Sequence, residues 1–392
     1  MNMKNTSLKK KLGILGGGQL GKMLITVTRK WSIETYILDP NPDCPASKCC
    51  DLFFKGDFNN YHDVYNFGKK VDIITIEIEH VNVKALYKLE KEGIYVYPSP
   101  SNIELIQNKG VQKDFFKKNK IPTSNYKRID NKKILSTYIS KTESRYPFIW
   151  KSETMDYDGK GVKLVQSLSD LDDINENSCV IEDVVDIKHE LAVLVARNNS
   201  GKSKSFPVLE MEFNQKSNQV EYVILPSRIP EEIKLKSLEI ADLVSKSLNH
   251  VGIIAVELFC THNNDVLVNE IAPRVHNSGH LTIESCITSQ FEQHIRAIYD
   301  MPLGNVDQIL PGVMVNLVGE SNHNGEAAYH NIDKAFDLDR VYPHLYGKKI
   351  TKPNRKMGHI TIMDEKLEKA ISKARILKNT IKIISTEWKK LE

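Results

Sequence analysis

Two short apolar runs near residue 260 restrict this chain more than any other stretch. Gly252–Thr261 and 266–271 flank Asn263-Asn264, and each carries one glutamate inside an otherwise apolar pattern: Ala255-Val256-Glu257-Leu258-Phe259 and Leu267-Val268-Asn269-Glu270-Ile271. Runs of this kind around a short polar turn predict a β-hairpin. With Asn263-Asn264 as a two-residue turn, Glu257 faces Glu270 across the ladder. Like charges directly opposite one another destabilise a ladder. A divalent cation turns that conflict into a site. Mg2+ is the natural occupant, with Mn2+ as a substitute, because it takes one or two carboxylates and leaves room for phosphate oxygens. Asn269 offers a neutral oxygen beside them. The alternative is a longer turn with another register, or one glutamate solvated at a frayed rim.

A second loop suits the phosphates that such a cation accompanies. Tyr157-Asp158-Gly159-Lys160-Gly161 lies between two strand patterns and reads as a glycine lid, with Lys151 at the end of the preceding strand. A lysine there meets phosphate oxygens as a point charge. The Walker A spacing is absent. Taken alone, the loop is equally a plain hairpin turn. Near the start, Gly16-Gly17-Gly18-Gln19-Leu20-Gly21 joins a strand to a helix and matches the dinucleotide fingerprint, with Asp39 near the ribose-binding offset. Alone it leaves open a structural turn, a nicotinamide or flavin site, and another anionic ligand.

Strand patterns at 12–15, 35–39, 71–78 and 94–97 alternate with helical ones, which predicts a parallel α/β sheet ending near residue 110. The middle part, 111–300, reads as α+β. It carries strands at 147–151, 162–165, 179–181, 190–196 and 206–213, a helix at 231–249, and a helix at 282–298 with Thr282 as N-cap. The last part, 301–392, has a strand at 313–318, a hairpin over 341–363 and a C-terminal helix from 365. Composition narrows the function classes. There are 54 basic and 50 acidic residues, interspersed, so no basic stripe marks a nucleic-acid binder. No uncharged apolar run reaches the roughly 18–20 residues of a membrane span, and no signal-peptide core follows the basic start. The six cysteines form no CxxC pairs and read as reduced thiols of a cytoplasmic protein.

The order of these motifs, with Glu182-Asp183-Val184-Val185 and Asn269-Glu270-Ile271-Ala272-Pro273-Arg274-Val275-His276-Asn277-Ser278-Gly279-His280, resembles the ATP-grasp superfamily. Within it the chain is similar to the N5-carboxyaminoimidazole ribonucleotide synthetase family, a likeness shared by Ser289 to His294, Met314 to Leu317 and Arg355 to His359. The resemblance implies an N-terminal Rossmann-like (pre-ATP-grasp) domain, an ATP-grasp domain of two α+β subdomains and a small β-rich C-terminal domain. It implies ATP and bicarbonate as co-substrates, carboxyphosphate as intermediate, 5-aminoimidazole ribonucleotide as acceptor, and a homodimer.

By the same resemblance, Lys109 and Lys151 would hold phosphates, and Asp156, Tyr157, Asp158, Gly159, Lys160, Gly161 and Val162 would close over them. Glu182, Asp183, Val184 and Val185 would line the adenine pocket, and Glu190 would take the ribose hydroxyls. Glu257 and Glu270 would ligate the metal beside Asn269. Arg274, His276 and Asn277 would sit over bicarbonate and carboxyphosphate. Gln19, Leu20, Glu77 and Tyr157 would contact the ribonucleotide, with Lys348 and Arg355 on its phosphate. The chain departs from the family at Met155-Asp156, where two glycines are usual, and at Met211 and Phe213, where Asn-x-His is usual. Competing readings are a nicotinamide-dependent dehydrogenase on the first glycine loop, which leaves the glutamate pair unexplained, and a formate- or amino-acid-using ligase of the same superfamily.

Overall fold

The structure, a computed structural model, describes residues 8–140, 146–154, 161–172, 174 and 176–386. The N-terminal part is a five-stranded parallel sheet in the order Leu52–Lys55, Thr35–Asp39, Leu12–Leu15, Ile73–Ile76, Tyr95–Tyr97. The Leu52–Lys55 strand was not expected: its side chains are half-exposed and its run is short. Asparagine caps set the helices between strands. Asn82 accepts from Ala85 N at 3.0 Å, and Asn108 from Val111 N at 2.9 Å. The strand order reverses between Leu12–Leu15 and Ile73–Ile76, so a crevice opens at their carboxyl ends. Gly16 and Glu77 are the residues that follow those two strands.

A larger antiparallel sheet runs through strands Val266–Ala272, Gly252–Thr261, Ile187–Arg197, Leu209–Asn214, Gln219–Leu225, Gly312–Val318, Lys356–Met363 and Val341–Leu345. It carries the middle part continuously into the last part, through the pairing of Gln219–Leu225 with Gly312–Val318. Leu191, Val193 and Val195 pack on one face under the helix Glu231–Ser247. Ala192, Leu194 and Ala196 pack on the other, against the helices Gln19–Lys30 and Gln290–Ile298. Burial on both faces explains why this strand reads as an unbroken apolar run. A four-stranded sheet, Tyr126–Ile129, Cys179–Asp183, Phe148–Ser152 and Val162–Val165, forms the other half of the middle part.

Three local expectations change. The helix expected over 282–298 is broken: Thr282–Ser285 is one turn, Cys286 is extended, and Gln290–Ile298 starts anew. Its cap is Ser289, which accepts from Glu292 N at 3.2 Å. Thr282 instead donates to Gly279 O and accepts from Gln290 N. The C-terminal helix stops at Thr380, and Lys382–Ser385 forms a strand against Gly325–His330. The Asn263-Asn264 turn is also longer than two residues, as described below. All six cysteines are free. No described helix is long and apolar enough to cross a membrane.

The N-terminal sheet is tied to the large sheet by a buried histidine. His294 Nδ1 accepts from Ile253 N at 3.1 Å, so Nε2 carries the proton toward Thr75 Oγ1 at 2.8 Å. Burial pushes His294 and His280 down to about 3 and His250 to about 4. Below the unfolded value of about 6.5, the unfolded chain binds these protons and the folded chain does not. Each such histidine therefore withdraws stability as pH falls from about 6.5 to 4, by about 1.4 kcal/mol per pH unit, while the raised carboxyls of Glu77 and Glu190 act in the opposite sense below about 7. Followed by NMR from pH 7 to pH 5, the ring signals of these histidines should not titrate, and a midpoint near the ordinary value of about 6.5 would refute neutral burial.

Candidate active site

The first glycine loop is filled by the chain's own acids. Gly17 N donates to Asp39 Oδ2 at 2.7 Å, and Gly18 N donates to the Glu77 carboxylate. A Cβ on Gly18 would collide with Glu77, and one on Gly17 with the Cys44 sulfur. Gly18 thus admits the Glu77 carboxylate to the backbone, and Gly17 admits the Cys44 sulfur. Two amides that a dinucleotide pyrophosphate would use are thereby taken, and Asp39 is not free for a ribose. Burial lifts Glu77 to about 7, against the pull of the Gly18 N–H and the charges of Arg274 and Lys348. Glu77, Arg274 and Lys348 come from three parts of the chain and meet here. Lys22 Nζ, donating to Leu345 O at 3.1 Å, ties the first helix to the C-terminal hairpin. Gln19 opens that helix, whereas the Leu20 side chain is buried in the core, which leaves its backbone as the group facing the crevice.

Glu257 and Glu270 are cross-strand partners, as expected. The route to that register is different. Thr261 N donates to Asp265 O at 2.9 Å and Asn264 N to Thr261 O at 2.9 Å, closing a three-residue loop with Asn264 at φ +63°. That loop offsets the ladder by one residue, and a bulge at Asn269 restores it before Glu270. Glu257 also faces Ala192, so Glu190, Glu257 and Glu270 share one sheet face. Burial, then the charges of Glu270 and Glu190, hold Glu257 well above the usual carboxylate range. Burial lifts Glu190 to about 7. Carboxylates forced together, with Glu257 and Glu190 withdrawn from solvent and Glu270 open to it, fit a hard divalent cation. Among the described residues no three acid, histidine or cysteine side chains converge as a ready-made metal cluster. The pair could give such a cation two ligands, with phosphate oxygens and water as the others.

Lysines face these acids. Lys109 Nζ lies 3.7 Å from Glu270 Oε2. Lys151 Nζ lies 3.0 Å from Glu182 Oε1 and donates to Asn269 Oδ1 at 3.1 Å. The bulge thus turns Asn269 toward Lys151, so its oxygen is already engaged rather than reserved for a metal. The Glu182 side chain is buried, and Lys151 and Lys113 draw it down to about 2 despite burial. Only its backbone is left to border a nucleotide. Asp183, joined to Asn125, and Val184 are exposed, and Val185 is half-buried. Val162 pairs with Lys151 across a hairpin, and Gly161 sits at φ +80°. Asp156, Tyr157, Asp158, Gly159 and Lys160 lie outside the described residues.

The loop after Val266–Ala272 is held from beneath. Gln290 accepts from His276 N at 2.8 Å and donates to His276 O at 2.7 Å. His276 Nδ1 receives Ser278 N at 3.4 Å, which leaves the proton on Nε2, 3.5 Å from Glu257 Oε1. Burial and the Arg274 charge hold this imidazole well below its ordinary value, so it is neutral and a donor. Asn277 is buried with neither amide atom partnered among the described residues, a demand that a ligand would meet. Arg274 forms a 2.7 Å ion pair with Glu79. Lys348 Nζ donates to Lys356 O at 2.8 Å and Arg355 Nη1 to Ile350 O at 2.6 Å, which sets both cations on one hairpin.

Sequence reasoning missed Lys113 and Glu79. Lys113 stands one turn after Lys109 and three residues before buried Phe116, a charge on a core-facing stripe. Glu79 alternates with Glu77 after a buried strand. Replacing Glu270 by glutamine should leave metal-free stability within about 1 kcal/mol, because repulsion on Glu257 is relieved as the long Lys109 contact is lost. The thermal shift produced by Mn2+ or Mg2+ in the parent should disappear. A shift of parental size in the variant would count against the pair as the cation site.

Comparison with known proteins gives matches along most of the chain. Residues 9–107 match the ribonucleotide synthetase preATP-grasp domain, 114–291 the ATP-grasp domain, and 312–373 the phosphoribosylaminoimidazole carboxylase C-terminal domain. The chain is 35% identical to the N5-carboxyaminoimidazole ribonucleotide synthase of Bacillus subtilis, covering 90% of this chain and 91% of that one. The crystal structure of the Thermotoga maritima N5-carboxyaminoimidazole ribonucleotide synthetase superposes with a TM-score of 0.88 at 41% identity, covering 96% and 99% of the two chains. An Aspergillus clavatus synthase solved with ADP and 5-aminoimidazole ribonucleotide gives 0.86 at 30% identity, over 95% and 98%. The chain spans 63% of the length of the Candida glabrata phosphoribosylaminoimidazole carboxylase, to which it is 36% identical. Three domain matches in sequence, and relatives aligned over nearly their whole length, make this chain a member of the N5-carboxyaminoimidazole ribonucleotide synthase family of ATP-grasp enzymes.

Proposed function

We propose that this chain is a ligase that uses ATP and bicarbonate to carboxylate N5 of 5-aminoimidazole ribonucleotide, releasing ADP and phosphate in purine biosynthesis. The observation that carries this reading is the Glu257–Glu270 pair on one sheet face, followed in the chain by His276, 3.5 Å from Glu257, and by Arg274, paired at 2.7 Å with Glu79 of the N-terminal part. A bicarbonate oxygen attacks the γ-phosphorus and the bond to ADP breaks, giving carboxyphosphate. N5 then attacks its carboxyl carbon, the bond to phosphate breaks and N5 sheds a proton.

The planar fork of Arg274 suits the carboxylate end of bicarbonate. Neutral His276 donates from Nε2, and Asn277 offers its unpartnered amide. Glu77, lifted to about 7, is matched to receive the N5 proton near neutral pH. Lys109 and Lys151 would neutralise phosphate oxygens, and Glu190 suits the ribose diol as an acceptor. Glu257 and Glu270 would hold Mg2+, or Mn2+ in its place, which when bound offsets phosphate charge. We assign the protein to the cytoplasm, which its six free thiols suit. We also expect a homodimer, an expectation that rests on the family resemblance and that sedimentation would decide.

The direct test is ADP release with each of bicarbonate and the ribonucleotide present or withheld. Full release should need both, and release indifferent to bicarbonate would defeat the assignment. Arg355→Ala should raise KM for the ribonucleotide about 10- to 100-fold, as expected for a charged hydrogen bond worth roughly 1.5–3 kcal/mol. KM for ATP should stay within about twofold. Equal losses for both substrates would mean that Arg355 serves folding instead.

A further inference from the structure

Lys113 is one of the most deeply buried charges in the chain, 3% exposed. Its Nζ donates to Thr123 Oγ1 at 2.7 Å, Ser124 Oγ at 3.0 Å and Glu182 Oε2 at 2.9 Å. A lysine has three N–H donors, so none is left for a ligand. Glu182, 5% exposed, gives its other oxygen to Lys151 at 3.0 Å. Ser124 Oγ bridges the two by also donating to Glu182 Oε2. The same helix carries Lys109 one turn earlier, 3.7 Å from Glu270. One helix face thus brings two lysines to the site with different duties, Lys109 toward the acidic sheet face and Lys113 toward the strand that ends in Glu182.

We infer that Lys113 is a positioning residue for ATP. By sharing the single carboxylate of Glu182 between two lysines, it leaves Lys151 with uncompensated positive charge to meet a phosphate. Lys113, Glu182 and Lys151 together carry one net positive charge in a site screened from water. Without Lys113 the carboxylate is held by Lys151 alone, the cluster becomes neutral, and the Lys151 ammonium turns toward Glu182 rather than toward ligand. Placing the second lysine out of ligand reach separates the task of holding the acid from the task of binding phosphate. Thr123 and Ser124 keep that arrangement rigid, and Thr123 Oγ1 in turn donates to Val268 O at 2.7 Å, next to the Asn269 bulge.

The inference rests on the reading that this protein turns over ATP. The parent enzyme must first release ADP with bicarbonate and ribonucleotide; failure there defeats that reading, not this one. In an active background, Lys113→Met should raise KM for ATP about 10- to 30-fold and leave KM for the ribonucleotide within twofold. A purely structural lysine would lower Tm and leave both constants unchanged, or shift them together, and either result overturns the inference. Should Lys113→Met fail to fold, Ser124→Ala decides the matter. It removes the bridging hydroxyl while keeping both charges, and it should raise KM for ATP two- to fivefold with no change for the ribonucleotide. An unchanged KM for ATP in a folded Ser124→Ala protein also overturns it.

Discussion

The confrontation of Glu257 with Glu270 governs the arrangement around it. Two carboxylates on neighbouring strands and one face, Glu257 largely withdrawn from water and Glu270 half exposed, are costly unless positive charge is supplied. The chain supplies part of it from Lys109 at 3.7 Å and a neutral donor from His276 Nε2 at 3.5 Å. The remainder is left for a cation and for what that cation brings. Glu190 on the same face raises the cost further, so the acidic face is a stored demand for a ligand rather than a stabilising feature.

The other charges are placed to balance this face without quenching it. Lys113 and Lys151 divide one carboxylate between them. Arg274 is held by Glu79, and Glu77 is held by a backbone amide of the glycine loop. Each ion pair crosses from one element to another, so the pairs also fix the parts of the molecule against one another. The helix Gln19–Lys30, packed on the large sheet and tied by Lys22 to the C-terminal hairpin, gives this assembly its apolar backing. The large sheet continues from the acidic hairpin to the hairpin bearing Lys348 and Arg355, which gives these two clusters one framework.

Much of this was legible in the order of residues. Strands at 12–15 and 35–39 and the helix from 231 follow from apolar periodicity and turn residues, and the structure has them at Leu12–Leu15, Thr35–Asp39 and Glu231–Ser247. The Glu257–Glu270 pairing was legible as well, yet through a two-residue turn that does not form. A three-residue loop and a bulge offset each other, and neither has a pattern strong enough to read in advance. Leu52–Lys55 escaped because a short edge strand without a buried residue leaves no alternation to read, and Lys382–Ser385 because four residues directly after a helix are too few to show a change of period, although Ile383 and Ser385 are buried. The break at Cys286 escaped because the apolar positions on both sides keep helical spacing.

Local chemistry along the chain therefore specified which side chains carry charge, where glycine admits close approach, and which runs alternate or persist. Those properties depend on neighbours a few residues away, and periodicity records them. The chain does not write down what each charge faces. Glycine amides answered by Asp39 and Glu77, a lysine at 113 paired with a carboxylate 69 residues later, and an arginine at 274 clamped by Glu79 are all long-range facts. They arise when sheets from separate parts close on one another and the buried charges must find partners, because burial without a partner costs more than any local preference supplies.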